Sequence, residues 1–121
     1  MKLYTEKHEW VEIEGDIAIL GISVFAAKEL GDITYVELPE QDDEIERDET
    51  YATVESVKAA SDIYSPLTGS IVEVNEELED APEKINEDAE GDGWICKIEG
   101  FSEEDLESLM NEEEYQAFIS K

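Results

Sequence analysis

Between Arg47 and Lys84 the chain carries a single cation, Lys58, in a window crowded with carboxylates. It falls between two stretches with strand-like alternation, residues 51–57 and 62–65, so it is expected at a hairpin tip rather than inside a strand. A primary amine at such a tip is open to approach from nearly every side, while the paired strands beneath it fix its position. Those are the demands of a covalent attachment point, although an ordinary solvated turn lysine accounts for the solitary charge more simply.

Other chemistry is scarce. Cys96 is the only cysteine and His8 the only histidine, so an internal disulfide is impossible and a nitrogen- or sulfur-ligated zinc site lacks material. Nucleophile–histidine catalysis would depend wholly on His8, which lies in the charged run Glu6-Lys7-His8-Glu9 and reads as a surface or packing residue. Cys96, in an apolar run, reads as a small buried hydrophobe. With no acid–base pair and no partnered nucleophile, the expectation is a protein that is not an enzyme, with no metal and no catalytic residues.

The elements that must position Lys58 are mostly strands. Residues 10–14, the turn Gly15-Asp16 and residues 17–22 predict an N-terminal hairpin. Ser23 can cap a short helix through Leu30, with Gly31 free to take a positive φ and close it. Short strands are then expected at 33–38, 51–57, 62–65 and 70–74, with a closing strand at 93–98. A faint echo joins Gly31-Asp32-Ile33 with Val36 to Gly69-Ser70-Ile71 with Val74, as two halves folded against each other would produce. Ser102 with Asp105, and Asn111 with Glu114, have the spacing of helix caps, so a helical segment is expected over about 102–121 with Leu106, Leu109, Met110, Tyr115, Phe118 and Ile119 as core contacts. A single domain, 1–121, accommodates all of this.

Composition narrows the partners. Eight basic against 35 acidic residues give a net charge of −27, which repels phosphate backbones and anionic lipid, so neither nucleic acid nor membrane is expected. The longest apolar run, Ile17-Ala18-Ile19-Leu20-Gly21-Ile22, is far below the roughly 20 residues that span a bilayer. The start Met1-Lys2-Leu3-Tyr4-Thr5-Glu6 has no signal core, so a cytoplasmic monomer is expected. The acidic excess reads either as a solvated face or as adaptation to high salt.

The flanks of Lys58 are specific. Glu55-Ser56-Val57-Lys58-Ala59, then Ser61-Asp62 and Ser65-Pro66 with Gly69, resembles the lipoylation site of glycine cleavage system H proteins. The resemblance continues through His8-Glu9-Trp10-Val11, Gly21-Ile22, Leu30-Gly31-Asp32-Ile33, Val36-Glu37-Leu38-Pro39-Glu40, Val74-Asn75, Asn86-Glu87-Asp88 and Gly93-Trp94. Biotin carriers set their lysine between methionines, and lipoyl domains of 2-oxoacid dehydrogenases show Asp-Lys-Ala where this chain has Val57-Lys58-Ala59.

The resemblance implies a mainly β fold with small helices: a flattened β-barrel, or barrel-sandwich hybrid, of two antiparallel sheets carrying a lipoyl-lysine hairpin, an N-terminal hairpin and C-terminal helices. It implies lipoate in amide linkage to Lys58, ferrying an aminomethyl group and electrons between a pyridoxal-phosphate glycine decarboxylase, a tetrahydrofolate-dependent aminomethyltransferase and dihydrolipoyl dehydrogenase. A lipoate-attaching enzyme is implied as a fourth partner, reading Glu55 together with Ser56, Val57, Ala59 and Asp62. Glu9 and Ile22 are implied to line a cleft for the loaded arm; a surface charge and a core aliphatic account for these two residues equally well.

Departures from the family pattern mark places to test. Val24 stands where an acid is common, Asp42 and Asp48 replace turn glycines, and Ala89 replaces a proline, which should loosen one loop. They leave open an H-like lipoyl carrier serving sulfur oxidation or lipoate relay. An unmodified acidic binding module is the reading from a different class.

Overall fold

Three strands open the chain: β1 (Lys2–Tyr4), β2 (Glu9–Glu14) and β3 (Ile17–Ile22) form an antiparallel meander. The computed structural model describes residues 2–120, so Met1 and Lys121, the ends of the expected domain, lie outside the described residues. The Gly15-Asp16 turn is as expected, with Gly15 at φ 63°. Helix α1 (Val24–Leu30) follows, its first turn capped by Ser23, whose hydroxyl accepts from the Ala26 amide, and its end closed by Gly31 at φ 79°.

The next strands are β4 (Ile33–Glu37), β5 (Glu44–Ile45), β6 (Thr50–Ser56), β7 (Ala60–Tyr64) and β8 (Gly69–Val74). Two short helices, α2 (Glu77–Asp80) and α3 (Lys84–Asp88), precede β9 (Cys96–Glu99), and α4 (Glu103–Glu107) and α5 (Glu112–Ile119) complete the order. The strands make two antiparallel sheets, one ordered β1-β2-β3-β9-β8-β5 and one ordered β4-β6-β7. No described strand is hydrogen-bonded into both, so the flattened barrel is an open pair of facing sheets rather than a closed cylinder.

Alternation explains the core. Val11, Leu20, Ile71 and Ile98 from the larger sheet and Val36, Val54 and Ile63 from the smaller share one buried cluster. Each such side chain contributes about 1.5–3 kcal/mol by leaving water. The two members of the faint repeat fall in different sheets, with Ile33 of β4 and Ile71 of β8 both buried. A second cluster of Tyr4, Trp10 and Tyr115 ties α5 to the N-terminal strands, and Tyr4 stacks on Tyr115 with ring centroids 4.4 Å apart. Leu106 and Leu109 pack on the first cluster, and Met110, Phe118 and Ile119 on the second, as the helical stripes predict.

Several boundaries differ from the sequence expectation. The closing strand starts at Cys96, because the Gly93 and Trp94 amides are spent on turn bonds to the Asp88 and Gly91 carbonyls. Asn111 and Glu114 form a full capping box, whereas Ser102 caps Glu104 and the Asp105 carboxylate reaches instead to the Thr68 amide. Asp42 and Asp48 take the left-handed backbone, φ 75° and 71°, in place of the glycines usual there. The loosening expected at Ala89 is absent: the residue is buried, and its carbonyl accepts the Trp10 indole N–H at 3.0 Å.

Candidate functional site

Lys58 lies where its flanking alternation puts it, exposed at the tip of the hairpin joining β6 to β7. The turn is drawn tight by Ser56. Its amide donates to the Ala59 carbonyl at 2.8 Å, its hydroxyl donates to the same carbonyl, and that hydroxyl oxygen accepts the Lys58 and Ala59 amides. A local side-chain-to-backbone knot of this kind is what serine offers a turn. The backbone beneath the amine is thereby fixed.

A second set of bonds moors the tip to the body. The Val57 amide donates to the Asp32 carbonyl at 3.1 Å. Asp32 is held in turn by Asn86, whose side chain accepts the Ile33 amide at 2.9 Å and donates to the Gly31 carbonyl at 2.8 Å. The Lys58 stem runs along Gly31, so that a Cβ there would stand 3.4 Å from Lys58 Cε. Gly31 is thus required for its positive φ, and it leaves the stem room.

Gly31 ends α1, and the last turn of that helix borders a cleft of about 260 Å³ between the sheets. Glu9 and Ile22 both line it, together with Leu30 of α1 and with Asp62, Ile63 and Tyr64 of β7. Of the two accounts of Glu9, the surface charge is excluded: the residue is only 4% exposed. One carboxylate oxygen accepts the Thr5 hydroxyl at 3.0 Å and the other accepts the Tyr64 amide at 3.1 Å, which stitches the larger sheet to the smaller. Burial raises the Glu9 pKa above the ordinary carboxylate value, more than these bonds lower it. Ile22 is both a core aliphatic and a wall of the cleft.

The charges around the cleft are lopsided. Glu9, Glu29 and Asp62 line it against one cation, Lys7, whose ammonium lies 4.2 Å from the Tyr64 ring centroid. His8 supplies no charge near neutrality, since burial lowers its pKa, and its Nδ1 is 2.7 Å from the Tyr115 hydroxyl. The arrangement suits a ligand that is apolar along its length and cationic at its end.

Of the residues grouped by sequence around Lys58, Ser56, Val57 and Ala59 form the turn. Glu55 points outward from β6, exposed and away from the cleft. Asp62, read as part of the same recognition turn, sits further down β7 and borders the cleft, within 3.4 Å of the Thr53 hydroxyl. Cys96 is fully buried, and burial raises its thiol pKa, which leaves it unreactive. The mooring by Asn86 and Asp32 escaped the residue-by-residue reading, because a side chain bonding a loop 53 residues away leaves no local signature. Among the described residues no cluster of potential metal ligands occurs, and no helix is long and apolar enough to cross a membrane.

Comparison with known proteins converges on one family. The family model described as "Glycine cleavage H-protein" matches residues 2–121. The chain is 51% identical over 121 residues to a glycine cleavage system H protein of Thermotoga maritima, covering 100% of this chain and 98% of the relative. It is 52% identical over 119 residues to one of Alkaliphilus oremlandii, covering 98% and 93%. A crystal structure of a glycine cleavage system H protein from Mycobacterium marinum superposes with a TM-score of 0.87 at 34% identity, covering 99% and 97% of the two chains.

Proposed function

The chain belongs to the glycine cleavage H-protein family, and from that premise we propose that Lys58 is the residue through which it acts as the lipoyl carrier of the glycine cleavage system. The observation that carries the assignment is a single one: the only cation on the β6–β7 hairpin stands exposed at a tip whose backbone is knotted by Ser56 and moored to Asp32.

The residues present fit the group. Amide formation at Lys58 Nζ removes its charge and extends a stem that already has room along Gly31. The bound group supplies a sulfur pair able to cycle between disulfide and dithiol, chemistry that the lone buried Cys96 cannot provide. Ile22 and Leu30 give the cleft apolar walls that exclude water from whatever lies between them. The Glu9 carboxylate, poorly solvated and raised in pKa, gains most when a cation enters, so it would hold the ammonium end of an aminomethyl cargo. Asp62 and Glu29 add to the same field.

The chain itself performs no catalysis in this reading. It sets reach and placement, and tethering raises the local concentration of the arm at each partner. Those partners are the glycine decarboxylase, the aminomethyltransferase, the dihydrolipoyl dehydrogenase and the lipoate-attaching enzyme, met by a cytoplasmic monomer.

Intact mass of the full chain from a lipoate-replete host tests the assignment. One lipoyl increment mapped to the Lys58 peptide is expected, with none on Lys58→Arg, and Glu55→Ala should slow its attachment while leaving the thermal melt unchanged. An unmodified chain under full ligase competence would leave only the acidic binding module. Exchange of bicarbonate into glycine by the lipoylated protein with the decarboxylase then separates glycine cleavage from sulfur oxidation or lipoate relay.

A further inference from the structure

The outward face of the small sheet carries a feature that the arm and its cleft do not use. Between Ile33 and Tyr35 the β4–β6 register slips, so that two residues of β4 oppose one step of β6. Thr34 and Tyr35 are in consequence both exposed, and the Thr34 hydroxyl is tied to the Glu55 carbonyl at 3.2 Å. Tyr35 is directly opposite Glu55, and Ala60 is opposite Glu55 on the other side. Residues opposite one another in an antiparallel pair project to the same face. The row nearest the Lys58 tip is thus an aromatic ring, a carboxylate and a methyl group, and 48% of Tyr35 is exposed. Val57, beside Lys58, is 68% exposed. These are two of the three large hydrophobic residues exposed among the described residues.

We propose that Tyr35, set beside Glu55 by the bulge, extends onto β4 the surface by which the lipoate-attaching enzyme reads the flanks of Lys58, and that this partner meets the ring with an apolar pocket ringed by cations. This rests on the assignment of Lys58 as the attachment lysine. The occupant follows from reach. In acylation the Nζ atom itself is the nucleophile: it forms the N–C bond to an activated lipoyl carboxyl, the activating group leaves with its electron pair, and the amine proton passes to solvent. That atom must enter the partner's catalytic pocket, so the partner has to descend over the tip and cover the first row beneath it. Partners that use the finished arm meet its far end instead, and need not touch this row. Charge agrees: Glu55 opposite Tyr35, with Asp32 and Glu37 on the same stretch of chain as the ring, are exposed, and they favour a basic partner in both encounter and register. A β-bulge re-aims a side chain at a sheet edge, and here it leaves an aromatic exposed opposite Glu55.

The test compares wild type, Tyr35→Ser and Tyr35→Phe as full chains with a lipoate–protein ligase, lipoate and ATP, with intact mass as the readout. Tyr35→Ser is expected to lower kcat/KM about tenfold, carried by KM, with an unchanged thermal melt, and Tyr35→Phe to stay near wild type. Tyr35→Ser driven to full lipoylation with excess ligase should then support bicarbonate exchange at the wild-type rate. Wild-type acylation of Tyr35→Ser would overturn the proposal alone, as would an equal loss at the exchange step. Failure of the wild type itself to be modified at Lys58 would overturn the assignment of Lys58 and this inference with it.

Discussion

The Glu9 carboxylate is held below the surface by two donors, Thr5 and the Tyr64 amide, and burial nonetheless leaves its pKa raised from the ordinary 4.5. The folded chain therefore keeps this proton to a higher pH than the unfolded chain does. Stability falls as pH rises from about 4.5 through the raised value, then levels once Glu9 is ionised in both states. Glu9→Gln removes that dependence. Urea midpoints of the two proteins measured from pH 4.5 to pH 8 should coincide most closely at the acid end and separate in favour of the variant as pH rises. A constant offset would mean that burial does not raise the pKa of Glu9 in the folded chain. Sequence left this residue undecided between surface and cleft, because burial of an acid is fixed by Tyr64 and Thr5 rather than by its neighbours in the chain. The place of Lys58 at an exposed hairpin tip was legible because its isolation and the alternation on both sides lie within a dozen residues.

At the scale of elements, α5 shows which interactions are written locally. Its capping box joins residues three apart and is readable as such; removing it with Asn111→Ala should cost about 1 kcal/mol. The docking of the helix is written elsewhere. Tyr115 stacks on Tyr4, and its hydroxyl meets His8 Nδ1 at 2.7 Å and Ser23 Oγ at 2.8 Å, linking the helix to the rim of the cleft and to the cap of α1. Tyr115→Phe keeps the stack and deletes the link, and should cost about 1–2 kcal/mol in urea denaturation; no loss would show that water replaces the hydroxyl at no cost. The elements missing from the sequence reading share one property. Strands β1 and β5, three and two residues long, are too short to show a period. Helices α2 and α3 bury only Leu78 and Ile85 between them, split by Pro82, in a run otherwise acidic. Such pieces are held by what they pack against.

For the whole molecule the dominant quantity is the net charge of −27. Among the described residues only four ion pairs form within 4 Å, so most carboxylates repel one another through solvent. Screening should relieve this within the first molar of salt, and the melting temperature should rise over that range. A flat or falling curve would remove the high-salt account of the acidic surface and leave the solvated face. A β-rich fold was legible from strand spacing and its two sheets from the family resemblance, whereas the openness of the pair was not, since alternation fixes which face is buried and says nothing of whether the edges meet. One of those edges is bridged at the Tyr64 amide by one carboxylate oxygen of Glu9, a residue that also lines the cleft. Under the proposed role of Glu9, a cargo ammonium held in the cleft would compete for the oxygen that accepts this amide. Deuterium uptake at that single amide is then expected to quicken while a loaded arm is stowed and to slow when it leaves, which would make it a gauge of the arm's position.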